Sequence, residues 1–138
     1  MLQATVLIVE DEPIIRLSVA EDFQSAGLHV LEASNADDAL AILEAGWPVK
    51  ALFSDVEMHG SMDGLELARL VRERWPQLHI ILTSGLKHPN GDELPHNTHF
   101  FPKPYLHQTV IGALCNLLED DKVFPGGLVK ALAPETVN

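Results

Sequence analysis

The sequence predicts an α/β fold: a doubly wound sheet of five parallel strands with helices packed on both faces. Two observations predict it. Short apolar, β-branched runs alternate with stretches whose apolar residues recur at helical spacing, the pattern of a parallel sheet linked by crossover helices. Three of those runs stop abruptly in polar residues, at Glu10-Asp11, Asp55 and Thr83-Ser84. Buried strands do this where their carboxyl ends open onto a ligand crevice.

Thr5 to Val9 reads as the first buried strand. Pro13 suits the first turn of a helix, with Ile15, Val19, Phe23 and Ala26 at helical spacing and Gly27 as the stop. His29 to Leu31 is a second strand. Ser34 or Asn35 caps a second helix that carries Ala36, Ala39, Leu40 and Leu43 on one face and closes at Gly46. Val49 to Phe53 is the third strand, followed by a loop with Gly60, Ser61 and Gly64. Leu67, Ala68, Val71 and Trp75 form the stripe of a third helix, with Pro76 beyond its end. Ile80 to Leu82 is the fourth strand and Thr98 to Phe101 the fifth. Between them, Gly85, Pro89, Gly91 and Pro95 break up residues 85–97, so any fourth helix is irregular or short. Leu106, Val110, Ala113, Leu114 and Leu117 mark a last helix. The right-handed crossover rule then favours the flavodoxin-like strand order 2-1-3-4-5.

A chain of 138 residues fits one domain, placed at 1–119, and a tail at 120–138 in which Leu128, Val129 and Leu132 have the spacing of a short docking helix. Acidic residues outnumber basic ones 20 to 9, for a net charge of −11. That field repels phosphate backbones and argues against nucleic acid as a partner. The single cysteine, Cys115, precludes an internal disulfide and suits a reducing compartment. The N-terminus has no basic region before its apolar run, and no stretch reaches membrane-spanning length. A cytoplasmic protein without membrane contact is expected.

In an open parallel sheet, ligands sit beyond the carboxyl ends of the strands, at the switch point between neighbouring crossovers. In the predicted order, strands one and three meet there. Glu10, Asp11 and Asp55 therefore converge, with Thr83 and Lys103 opposite them. Three close carboxylates repel one another, and a hard dication relieves the repulsion. Mg²⁺ favours such an all-oxygen site, and Mn²⁺ suits it as well. A carboxylate in such company is also a nucleophile toward phosphorus. Lys103 can neutralise charge on transferred oxygens, and the Thr83 hydroxyl can donate a hydrogen bond to them.

Four segments, VLIVEDEP, LFSDVEMHGSMDG, ILTSG and FFPKP, together resemble the receiver domains of response regulators. The resemblance runs from about residue 5 to 119. It implies that Asp55 is the phosphoacceptor. Glu10 and Asp11 match the paired acids that bind Mg²⁺, Asp11 as the direct ligand, and the backbone carbonyl of Glu57 matches a further ligand. Thr83 matches the switch hydroxyl and Phe100 the aromatic that moves with it. Lys103 matches the family lysine, and Lys103-Pro104 its cis peptide. The implied partners are a histidine kinase or histidine phosphotransfer protein and a downstream protein. A homodimer would use the last helix and the strand-five face.

The chain departs from the family at three places. His59 stands where proline is frequent, which predicts a looser loop after Asp55. Glu57 adds a carboxylate beside the site, where it can alter dephosphorylation. The segment 85–97 lacks helix formers where the family has a fourth helix.

Other polar residues have simpler readings. His96 and His99 fall in an irregular segment without cysteines and read as a solvated loop. Cys115 reads as helix packing. Asp63-Gly64 reads as a helix start, since the spaced acids of a calcium loop are absent.

Two other functions compete with the receiver. Glu57, two residues past Asp55, has the spacing of the acid in aspartate-nucleophile phosphatases, although so short a chain encodes no cap over a substrate. A degenerate receiver used as a phosphorylation-independent scaffold is the second; the intact acid set argues against it. The chain could also be a piece of a hybrid kinase; its start at Met1 and its tail fit a free-standing protein better. No effector segment follows residue 119, so output is expected through protein–protein contact.

Overall fold

In a computed structural model, described over residues 4–120, the chain forms five strands and four helices. They are β1 (Thr5–Val9), α1 (Pro13–Ser25), β2 (His29–Ala33), α2 (Ala36–Glu44), β3 (Val49–Asp55), α3 (Gly64–Arg74), β4 (His79–Ser84), β5 (Thr98–Pro102) and α4 (His107–Asp120). All strand pairs are parallel and the order is β2-β1-β3-β4-β5, as the sequence predicts. The expected tail lies, beyond Asp120, outside the described residues. No helix among the described residues is long and apolar enough to cross a membrane.

Alternation along the strands splits the core into two layers. Leu7, Val9, Leu52, Ile80 and Leu82 pack against Ala36, Ala39 and Leu43 of α2 and Leu67, Ala68 and Val71 of α3. Val6, Ile8, Phe53 and Ile81 face Val19, Ala20 and Phe23 of α1 and Val110, Ile111 and Leu114 of α4. Asn35 caps α2 by accepting from the Asp38 amide. Asp63 and Glu66 form a reciprocal capping box at the start of α3, so Asp63 is the helix-starting residue it was read as.

Some boundary and packing details differ from the sequence reading. β2, β3, β4 and β5 each run one or two residues further at the carboxyl end, because parallel pairing continues into the polar residues. Ile15 and Ala26 are exposed, and Ala20 takes the inward place beside Val19. Leu106 precedes α4, where its carbonyl accepts from Thr109 and Val110 while its side chain points to solvent; Ile111 and Leu118 complete that helix's buried face instead.

Residues 85–97 contain no helix or strand. Arginines of α3 hold the segment's far end. Arg69 Nη2 donates to the Glu93 carbonyl at 2.9 Å. Arg72, 7 % exposed, donates to the carbonyls of His96 (3.1 Å), Asn97 (3.2 Å), Pro76 (2.9 Å) and Leu78 (2.7 Å). A guanidinium offers five donors in a fixed fork, so one side chain satisfies two carbonyls of the helix-less segment and two of the turn before β4. Replacing it strands those carbonyls. We expect Arg72→Met to lower stability by about 1.5–3 kcal/mol, the worth of a hydrogen bond to a charged group. Urea unfolding checks this: an unchanged midpoint would mean that the clamp is not what holds the segment.

Candidate functional site

The acids, Thr83 and Lys103 singled out in the sequence lie at the carboxyl edge of the sheet or just past it, whereas Phe100 sits in the middle of β5. Glu10 and Asp11 follow β1, and the Glu10 amide donates to the Ala33 carbonyl at 3.1 Å. Asp55 ends β3 and is the direct cross-strand partner of Thr83 on β4. Lys103 follows β5; its amide donates to the Ser84 carbonyl at 2.9 Å, which carries its ammonium across β4 to Asp55 Oδ2 at 3.1 Å. The Lys103-Pro104 peptide is cis. Glu10, Asp11, Asp55, Glu57 and Lys103 line one open pocket of about 580 Å³. A second hollow of about 440 Å³, lined by Trp75, Lys50 and Gln77, lies elsewhere and contains none of these groups.

Gly64 fixes the floor of the pocket. Its amide donates to the Val56 carbonyl at 2.9 Å. A Cβ there would stand 2.0 Å from the Asp55 carbonyl oxygen, so only glycine lets α3 begin this close to the end of β3. Gly64→Ala should cost about 1–3 kcal/mol, as overpacking does, and shift Asp55. Thermal unfolding tests the cost.

Among the described residues three buried polar side-chain atoms lack partners: Thr98 Oγ1 at the start of β5 and, on adjacent strands at the carboxyl edge, Asp55 Oδ1 and Thr83 Oγ1. As cross-strand neighbours they project from the same face of the sheet. Leaving such atoms unpaired is costly unless a ligand takes them.

The electrostatics carry the same strain. Burial pushes the Glu10 carboxyl up to about 7, with the charges of Asp55 and Asp11 adding to the rise and the Glu12 amide and Lys103 opposing it. Burial likewise raises Asp55 against the hydrogen bond and charge of Lys103, and the Glu57 charge adds to the rise. Burial also works to raise Asp11, but His59 outweighs it and leaves that carboxyl below its ordinary range. The Tyr105 hydroxyl is pushed up to about 12, by burial first and then by the charges of Glu10 and Asp55.

Among the described residues, no three His, Cys, Asp or Glu side chains group closely enough to hold a metal by themselves. The donor set implied by the resemblance differs from such a cage. It combines carboxylates with the Glu57 backbone carbonyl and leaves positions for water and phosphate. The unpartnered Asp55 Oδ1 and the raised carboxyls of Glu10 and Asp55 fit a divalent cation there, since positive charge would return both to the ionised form.

The loop after Asp55 is tied down, contrary to the looser loop expected from His59. The His59 amide donates to Asp11 Oδ2 at 3.1 Å, a bond that proline could not make, and His59 Nδ1 lies 2.9 Å from the same oxygen. Phe100 pairs with Leu82 and lies on the opposite face from Thr83, half-buried and edge-on to His88 at 6.1 Å. Phe101 is the residue that shares register with Thr83. The sequence reading missed Tyr105, whose place just past the Lys103-Pro104 pair was its only signal. It also missed where the Glu57 carboxylate goes. That group turns onto the end of β4, where it accepts from the Ser84 hydroxyl and, at 3.1 Å, from the amides of Gly85 and Lys87.

Comparison with known proteins agrees with this geometry. A family model described as the response regulator receiver domain matches residues 6–93. A putative NtrX-like response regulator of Rickettsia felis is 37% identical over 86 residues, 62% of this chain and 18% of that protein. The sensor kinase CckA of Brucella abortus is 36% identical over 120 residues, 84% of this chain and 13% of the kinase. The chain thus spans under a fifth of the length of either relative. Among solved structures, the response regulator TrrA of Thermotoga maritima, in complex with Mg²⁺-BeF, superposes with a TM-score of 0.73 at 26% identity, covering 83% of this chain and 99% of that one. The chain belongs to the response regulator receiver domain family, the receiver domains of two-component systems.

The raised Glu10 carboxyl gives the site a pH signature. In the unfolded chain Glu10 titrates near its ordinary value, so between pH 4.5 and about 7 the folded state binds more protons. Stability therefore falls as pH rises through that window, and the penalty is fully present above about 7. Without divalent metal, Glu10→Gln should unfold at a higher temperature than the parent at pH 8 and show a smaller difference at pH 5. Equal differences at both pH values would show that Glu10 is not buried in its charged form.

Proposed function

We propose that Asp55 accepts a phosphoryl group from the phosphohistidine of a histidine kinase or histidine phosphotransfer protein, in a reaction that requires Mg²⁺. The observation that carries this reading is the pair of unpartnered atoms, Asp55 Oδ1 and Thr83 Oγ1, beside the Lys103 ammonium. One is a nucleophile, the other a donor for a transferred oxygen, and Lys103 supplies the countercharge.

Lys103 holds Asp55 through Oδ2, which leaves Oδ1 as the attacking atom. Its attack forms an oxygen–phosphorus bond in line with the breaking phosphorus–nitrogen bond, and the electron pair leaves on the imidazole nitrogen. Lys103 and the Thr83 hydroxyl then meet charge on the equatorial oxygens. Glu10, Asp11, Asp55 and the Glu57 carbonyl would hold Mg²⁺, or Mn²⁺, whose charge draws the carboxylates and the phosphoryl oxygens together. Loss of the phosphoryl group to water resets the domain.

Apolar residues rim this acidic pocket. Ile15 and Leu86 line it. Leu86 is 85 % exposed, and Ile14 (81 %), next to Ile15 in the chain, and Leu106 (72 %), three residues past Lys103, are exposed as well. Exposed apolar side chains around a charged centre suit the packing of a helical, histidine-bearing donor domain over Asp55. Signalling then runs by protein–protein contact, with Thr83 and Phe100 as the switch pair, in a cytoplasmic setting. The phosphatase alternative loses support because the Glu57 carboxylate, its would-be acid, is engaged by three donors and held below the ordinary carboxylate range: burial works to raise it, and those hydrogen bonds outweigh burial.

Incubation with a small acyl phosphate and Mg²⁺ should add one base-labile phosphoryl group by intact mass, absent in Asp55→Asn and in EDTA. Lys103→Met should slow its formation roughly 10²–10³-fold, the usual loss on removing one preorganised charge donor. An adduct that survives Asp55→Asn would move the acceptor elsewhere.

A further inference from the structure

We propose that the Glu57 carboxylate is a latch that ties the segment after β4 to the phosphoacceptor loop, and that phosphorylation of Asp55 opens it. The proposal rests on the reading of Asp55 as phosphoacceptor and goes beyond it in naming what transmits the event.

The segment 85–97 is held at its two ends by opposite chemistry. At the far end, Arg69 and Arg72 grip the backbone carbonyls of Glu93, His96 and Asn97. At the near end, one carboxylate does the holding. Glu57 Oε1 takes the Gly85 amide at 3.1 Å, and Oε2 takes the Lys87 amide at 3.1 Å together with the Ser84 hydroxyl. The Ser84 hydroxyl in turn accepts from the Lys87 amide at 2.9 Å. With no helix in the segment, these donors have only the carboxylate and that hydroxyl to satisfy them.

Only the near tie is sensitive to charge at Asp55. Glu57 lies two residues from Asp55, and the two carboxylates already repel each other across the pocket. A phosphoryl group raises the charge there to about −1.5 to −2 and brings acceptor oxygens next to Thr83 and Ser84. Like charge pushes the Glu57 carboxylate off, and the new oxygens compete for the same donors. The guanidinium ties stand on α3 and bind neutral carbonyls, so they do not respond. Opening at the near end releases the backbone at 85–87 and shifts His88 against the Phe100 ring, which links the acceptor to an aromatic on the other sheet face.

The test is residue-resolved amide hydrogen exchange on the full chain, before and after treatment with a small acyl phosphate and Mg²⁺, with intact mass read on the same samples. In the parent, the Gly85 and Lys87 amides should be protected at rest and exchange roughly tenfold or more faster once the adduct is present, the change expected for loss of a charge-assisted hydrogen bond. In Glu57→Ala the Gly85 amide should exchange fast at rest, with no further gain on phosphorylation, while the Lys87 amide keeps the Ser84 hydroxyl and loses protection only in part, and β5 amides keep parental rates and show the fold intact. Glu57→Gln keeps an acceptor but loses the charge, so its amides should stay protected and respond little to the adduct; a merely structural tie would respond like the parent. Unchanged protection in the phosphorylated parent, or slow Gly85 exchange in unmodified Glu57→Ala, overturns the latch. Absence of any adduct by mass overturns the acceptor reading itself, and the phosphorylation-driven opening with it.

Discussion

The ion pair between Lys103 and Asp55 is the constraint on which the rest of the site depends. It joins the end of β3 to the residue after β5 across the intervening β4, and it sets a positive charge directly on the phosphoacceptor-position carboxylate. Without it, Asp55, Glu10 and Asp11 would present three acids to one small volume, relieved at Asp11 by His59 and at Glu10 by the Glu12 amide but not at Asp55. With it, one oxygen of Asp55 is committed and the other is left bare, which gives the carboxylate a direction. The close start of α3 at Gly64 and the His59 tie on Asp11 then hold the remaining walls in place.

The loss of one helix changes how the domain is built more than how it is charged. In a doubly wound sheet each crossover helix covers its strands and satisfies its own backbone. Between β4 and β5 this chain instead runs thirteen residues of irregular backbone, 85–97, and borrows satisfaction from outside the segment. Arg69 and Arg72 supply donors to its carbonyls, and Glu57 supplies an acceptor to its amides. Opposite charges thus stand at the two ends, each matched to the backbone groups left open there. A surface held in this way answers to electrostatics, whereas a packed helix answers mainly to apolar contact.

Much of this was legible in the sequence. Strand identity and order followed from apolar runs and from polar residues at their ends, since burial on both faces leaves few alternatives for such segments. The converging acids and Lys103 followed from topology, because the carboxyl ends of β1 and β3 must meet at the switch point. Side-chain direction did not follow. Whether Ile15 or Ala20 turned inward depended on how α1 was rotated against Phe53 and its neighbours, a tertiary choice that periodicity leaves open. The same holds for Glu57, whose position was evident but whose partners were set by a loop with no regular geometry to predict. Arg72 carried no signal in the sequence, because its partners are carbonyls of the turn before β4 and of the helix-less segment, which no periodicity brings together.

β5 closes one edge of the sheet and is five residues long. It enters through Asn97, whose φ is +59°, and ends in Pro102, which has no amide to donate. A short strand bounded by a backbone kink and a proline makes a poor template for another strand, and natural sheets guard their edges in this manner. Continuous pairing of this edge with a second copy would gain few backbone hydrogen bonds. Any self-association on that side would then rest on side chains. Such contact can be made and broken without the chain committing to the extended ladders that seed irreversible aggregation.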